Sequence, residues 1–135
     1  MAFVMGPRQV GKTTTCRLLG DHYLDWDNED HREKILSGPG SVAELAGLNK
    51  ASKEKQILTL DEIHKYRRWK GFLKGFFDTY EHDVRILVTG SSRLDVYRRG
   101  GDSLMGRYFL FRMHPFSVAE VVRTQLSRSP ISPQC

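Results

Sequence analysis

Cysteine is scarce: Cys16 and Cys135 are the only two in 135 residues. That excludes a disulfide framework and any cysteine-based metal spacing. Cys16 falls on the helix expected after a glycine loop and reads as a small buried filler. Long apolar runs are also missing. None approaches the roughly 18 residues of a membrane helix. The first apolar run is very short and leads straight into glycine, so no signal peptide is legible. The expectation is a cytoplasmic domain with no membrane contact. Internal repeats and low-complexity segments are absent, as are helix-turn-helix, zinc and RNA-binding signatures. An apolar fraction of 39% with 27% charged residues fits a folded globular chain, and its length fits one domain.

What charge there is lies unevenly. Residues 1–50 hold six Lys and Arg against seven Asp and Glu; residues 51–135 hold fifteen against nine. Two basic clusters stand out, Lys65, Arg67, Arg68 and Lys70, then Arg93, Arg98 and Arg99. A basic surface can meet nucleic acid or be a solvated face.

Strand and helix patterns alternate, which predicts a parallel sheet with helices on both faces. Strands are expected at Ala2–Met5, Tyr23–Trp26, Gln56–Leu60, Val84–Thr89 and Tyr108–Phe111. A helix is expected from Lys12 to about Gly20, and another from Glu29 to Ser37, stopped by Gly38, Pro39 and Gly40. Ser41 with Glu44, and Ser117 with Glu120, read as capping boxes that open further helices. Trp69, Phe72, Leu73, Phe76 and Tyr80 recur at helical spacing and read as one core-facing stripe. A short helix is expected at Leu94–Arg98. Residues 1–126 read as a core domain and 127–135, with Pro130 and Pro133, as a frayed tail.

The chemistry concentrates in Gly6-Pro7-Arg8-Gln9-Val10-Gly11-Lys12-Thr13, a full match to G-x-x-x-x-G-K-[ST] between a strand and a helix. Glycines let backbone N–H groups converge on phosphate oxygens. The following helix, through Thr14, adds the positive end of its dipole. Lys12 supplies a charge to the β- and γ-phosphates, and the Thr13 hydroxyl suits Mg²⁺.

Asp61 and Glu62 end a buried strand 48 residues after Thr13. In this setting the first carboxylate holds the metal and the second orients an attacking water. At the end of the next strand, Ser91 is the first choice and Thr89 the second for a hydroxyl that senses the γ-phosphate, since ligands bind at the carboxyl ends of strands. Arg107, with Arg93 behind it, is the candidate to meet transition-state charge. His64 reads either as a hydrogen-bond partner of Glu62 or as a turn-packing residue.

GPRQVGKTT, YLDWDNEDHR, LDEIHKYRRWKGFLKGFFD, VTGSSRLDVYRRGGDSLMGRYF and HPFS, in that order, resemble successive blocks of the bacterial and archaeal AAA-type ATPases, in the ASCE class of P-loop proteins. The resemblance runs from about Phe3 to Glu120. It implies a three-layer P-loop NTPase fold, a five-stranded parallel sheet of order 5-1-4-3-2, and ATP as the nucleotide. Against the family's usual length, the sequence reads as truncated to the core ATPase domain.

The expected function is ATP hydrolysis with Mg²⁺ to drive a conformational change. The catalytic set is Glu62, Lys12, Ser91 and Arg107. The nucleotide is held by Gly6 through Thr14, and the metal by Thr13 and Asp61. A homo-oligomer or a protein partner is compatible with this. The alternatives are a non-enzymatic ATP-dependent switch, a nucleic-acid-associated module built on the basic second half, a small-molecule phosphotransferase, and an inactive remnant.

Overall fold

The computed structural model describes residues 1–48, 54–91 and 104–126. Arg93, Arg98, Arg99, the helix expected at Leu94–Arg98 and the tail 127–135 lie outside them. The strands are β1 (Ala2–Met5), β2 (His22–Asp25), β3 (Gln56–Asp61), β4 (Val84–Gly90) and β5 (Phe109–Arg112). The helices are α1 (Lys12–Leu19), α2 (Glu29–Leu36), α3 (Pro39–Leu45), α4 (Trp69–Tyr80) and α5 (Val118–Leu126), with a 3₁₀ turn at Ile63–Lys65. All strand pairings are parallel, in the order β2-β3-β4-β1-β5. Read from the other edge this is 5-1-4-3-2, the order the family resemblance implies.

Strand alternation divides the chemistry between the two faces. Phe3, Leu58, Leu60, Val84, Ile86 and Val88 join the apolar cluster that receives Trp69, Phe72, Leu73 and Phe76 of α4. Aromatic rings fill that layer: Phe3 stacks on Tyr108 with centroids 4.7 Å apart and meets Trp69 at 6.2 Å, and Phe76 meets Tyr80 at 5.0 Å. The helical stripe read from the sequence is therefore core. The intervening residues face α1, where Thr59 donates its hydroxyl to the Cys16 carbonyl at 3.2 Å. Cys16 is fully buried, and burial, reinforced by the nearby Asp61 charge, pushes its thiol pKa up.

Local capping explains where element boundaries move. Ser117 and Glu120 form the expected box: the Ser117 N–H donates to Glu120 Oε2 at 2.8 Å, and the Glu120 N–H donates to Ser117 Oγ at 3.4 Å. Ser41 does not open its helix. Gly38, at φ 104°, serves as the cap, and Pro39 takes the first helical position, so the cap of α3 lies three residues earlier than Ser41. β2 ends at Asp25 rather than Trp26, whose ring leaves the strand to stack on Tyr66 at 4.9 Å. β3 runs on to Asp61, which brings that carboxylate into the sheet itself. No helix among the described residues is long and apolar enough to cross a membrane.

Candidate nucleotide site at the carboxyl edge

Every strand of a parallel sheet ends on the same side, so the residues after β1, β2, β3 and β4 converge there. The chain leaves β1 at Gly6, where a Cβ would stand 2.2 Å from the Met113 carbonyl oxygen. Only glycine lets the loop begin this close to the segment after β5. The loop then needs left-handed backbone twice, at Gln9 (φ 64°) and Gly11 (φ 90°). Gly11 has the freedom for this, whereas Gln9 adopts it at a cost in backbone strain. Pro7, Arg8 and Gln9 are exposed, Val10 is half-buried, and Thr13 and Thr14 stand exposed at the start of α1. Lys12 is only 9% exposed. Its ammonium donates to the carbonyls of Gly6 at 2.9 Å and Pro7 at 2.5 Å.

Opposite the loop, Asp61 is 5% exposed. Its Oδ2 accepts from the Thr13 hydroxyl at 2.9 Å and from the Tyr23 hydroxyl at 2.6 Å, and its Oδ1 accepts from the Thr89 hydroxyl. Three hydroxyls from α1, β2 and β4 thus surround one carboxylate. Burial and the hydrogen bond to Asp61 push the Tyr23 phenol well above its ordinary pKa. The pair Thr13 and Asp61 supplies hard oxygen donors side by side. Magnesium keeps several waters and takes few protein ligands, so this donor set fits it.

Glu62 follows in left-handed backbone at φ 55°, its N–H donating to the Thr89 carbonyl at 3.1 Å. Its Oε2 lies 3.4 Å from Lys65 Nζ and 3.5 Å from His64 Nε2. Lys65 is anchored in turn to both oxygens of Asp27, at 2.6 and 2.8 Å. Burial holds the His64 pKa below its ordinary value, against the opposing pull of Glu62. A cavity of about 500 Å³ is lined by residues that include Arg8, Lys12, Thr13, Arg17, Tyr23, Asp61 and Glu62. That volume falls in the range of small-molecule sites.

The fold brings Gly6 through Thr14, Asp61, Glu62 and Thr89 together. Ser91 lies half-buried just past β4 at the same edge, and it is Thr89 whose hydroxyl reaches Asp61. Arg107 does not join them. It precedes β5, so it sits at the amino edge, with Nε 2.8 Å from Asp78 Oδ1 near the end of α4. Tyr23 is the residue that sequence reasoning missed. Its signal was its place in the strand next to the one carrying Asp61, two residues before that strand ends.

This chain is 26% identical over 125 residues to uncharacterised proteins of Mycobacterium tuberculosis and Mycobacterium bovis, covering 90% of this chain and 26% of each of them. It is 32% identical over 107 residues to an uncharacterised protein of Methanocaldococcus jannaschii, covering 70% of this chain and 22% of that protein. The chain thus spans about a quarter of the length of the curated relatives it matches. A family model described as an AAA domain matches residues 1–122, which hold all five strands of the described sheet, the loop after β1 and the acidic pair, and the chain belongs to that family of P-loop, ATPase-like, nucleotide-binding proteins.

Proposed function

We propose that the protein binds ATP with Mg²⁺ in the cavity between residues 6–14 and Asp61, and hydrolyses it to ADP and phosphate. The observation that carries this reading is the 2.9 Å contact between the Thr13 hydroxyl and the Asp61 carboxylate, beside the nearly buried Lys12. Lys12 and the loop N–H groups bind phosphate oxygens. Thr13 and Asp61 hold the metal, which when bound neutralises charge on the phosphates. Glu62, next in the chain, takes a proton from the attacking water and orients it. Thr89 and Ser91 are the hydroxyls at this edge for sensing the γ-phosphate. A small-molecule kinase has no need of a base aimed at water, so Glu62 favours hydrolysis.

A second reading has one observation in its favour. Arg107 is committed to Asp78 at the far edge, so an arginine for transition-state charge would come from Arg8 or Arg17 in the cavity wall, or from a second copy or partner. In the last case the isolated chain is an ATP-loaded switch with little turnover. Residues 1–126 form the unit that carries either activity, in a cytoplasmic setting. A role at nucleic acid through the basic second half is the weaker alternative, since Lys65 of its first cluster is already paired with Asp27.

Phosphate release from ATP with Mg²⁺, compared with Glu62→Gln, tests the reading. The variant should bind ATP normally and release phosphate at least about 100-fold more slowly, the usual scale of a general base. Equal release by both proteins removes the hydrolase reading. ATP binding with no release by either leaves the switch.

A further inference from the structure

Asp61 is nearly buried, and a buried carboxylate must be hydrogen-bonded or it gives up its charge. Its donors differ in how freely each can leave. Thr13 belongs to the helix after the phosphate loop, and its oxygen is the one suited to the metal. Thr89, on β4, holds the other carboxylate oxygen. Tyr23 reaches across from β2 to Oδ2, the oxygen it shares with Thr13.

We propose that Tyr23 is the positioning residue of the metal-holding carboxylate, fixing Asp61 Oδ2 so that the magnesium affinity of the site depends on a phenol from the edge strand. This rests on the assignment of Asp61 under the proposed function. When the Thr13 hydroxyl turns to a metal, Tyr23 is the donor that stays on Oδ2, and with Thr89 on Oδ1 it locks the carboxylate plane. The ring is itself held, by the pairing of its strand on one side and by a helix over its face. β2 is paired in register with β3, Tyr23 opposite Thr59 and Asp25 opposite Asp61. The Arg17 guanidinium covers the ring at 4.2 Å. Arg17 lies one helical turn beyond Thr13, so the phenol bridges the helix that starts at the phosphate loop and the strand that carries the carboxylate. A hydrogen bond of this kind acts on the metal through its ligand, and losing such a partner typically weakens metal affinity.

The test is Tyr23→Phe, which keeps the ring and its stacking and removes only the donor. Stabilisation of the protein by ATP is followed against Mg²⁺ concentration, ATP affinity is measured in EDTA, and Mn²⁺ uptake in the presence of ATP is read by electron paramagnetic resonance. The Mg²⁺ midpoint should rise about tenfold or more, with a matching loss of Mn²⁺ affinity, while ATP affinity in EDTA stays within about twofold of wild type, less than the weakest effect expected of a lost hydrogen bond to a charged group. Turnover should recover at high Mg²⁺. Should Tyr23→Phe fail to fold, Arg17→Ala loosens the ring and leaves the hydroxyl, and should move the Mg²⁺ midpoint the same way by about two- to fivefold, the worth of an exposed cation–π contact. An unchanged Mg²⁺ midpoint overturns the proposal. So does an equal loss of ATP affinity in EDTA, which would mean a general disturbance of the cradle. A wild-type protein that ATP with Mg²⁺ does not stabilise removes the nucleotide reading itself, and this inference with it; a wild type that is stabilised alongside an indifferent Tyr23→Phe removes this inference alone.

Discussion

The same strands and helices end at two edges of one sheet, and the two edges obey different rules. At the amino edge, contacts are of the ordinary surface kind. Arg107 pairs with Asp78, the amino terminus donates to the Arg107 carbonyl at 2.9 Å, and Asp21 accepts from the Ile57 N–H at 2.8 Å. At the carboxyl edge, Gln9 and Glu62, the two non-glycine residues with positive φ among the described residues, stand within reach of a nearly buried lysine and a nearly buried aspartate. Strained backbone and buried charge both cost stability. Their confinement to one edge marks where the chain has been shaped by something other than folding.

The largest effect that tests this contrast is Lys12→Ala. Removing a desolvated cation from its phosphate partners costs roughly 2–5 kcal/mol, which is about 30- to several-thousand-fold in ATP affinity. The fold should survive, because Lys12 bonds only carbonyls of its own loop. Isothermal titration with MgATP, beside a thermal melt without it, separates the two quantities. Retained affinity would erase the distinction between the edges.

Gly20→Ala acts in the opposite sense. A Cβ at Gly20, after the last turn of α1, would lie 2.5 Å from Thr59 Oγ1 and 3.1 Å from the Cys16 carbonyl. The φ of −87° suits any residue, so the conflict is purely one of space. Overpacking of this kind costs about 1–3 kcal/mol. The expected result is a lower melting temperature or urea midpoint with MgATP affinity unchanged. A loss of affinity equal to that of Lys12→Ala would show that α1 transmits strain from one edge to the other.

Much of this architecture was legible beforehand, for reasons that can be named. The phosphate loop is contiguous, so its spacing carries it. β4 and the α4 stripe announce themselves by periodicity, because one face of each is buried against the other layer. Asp61 and Glu62 are legible because they follow an apolar strand. The features that escaped depend on the register between neighbouring strands. Tyr23 meets Asp61 across 38 residues of sequence, and only the β2–β3 pairing joins them. Sequence ranks Ser91 ahead of Thr89, since both are hydroxyls at a strand end and register is not legible there. Register decides which one reaches Asp61: Thr89 is paired directly with Asp61 and shares its face of the sheet. Ser41 was misread because a proline at the first helical position can begin a helix without a side-chain cap.

Arg107 lies away from the cavity for the plainest reason, the polarity of a parallel strand, and it gives the smallest and most diagnostic effect. An arginine just before β5 is carried to the amino edge, whatever its chemistry would suit it for. There the hydrogen bond between Arg107 and Asp78 is the first cause that lowers the Asp78 carboxylate's pKa and raises that of the Arg107 guanidinium. Asp78 is exposed and Arg107 partly exposed, so water screens most of their attraction. Arg107→Ala should therefore leave both MgATP affinity and phosphate release in a dilute solution of the chain unchanged, and barely move the melting temperature. Release assayed over a range of protein concentrations adds a sharper discrimination. If wild-type turnover per chain rises with concentration and the Arg107→Ala protein stays flat, the arginine is acting on the site of a second copy, and the amino edge of one molecule completes the carboxyl edge of another. If the two proteins track each other at every concentration, the amino edge is scaffold alone, and charge stabilisation at the site falls to Arg8 and Arg17 in the cavity wall.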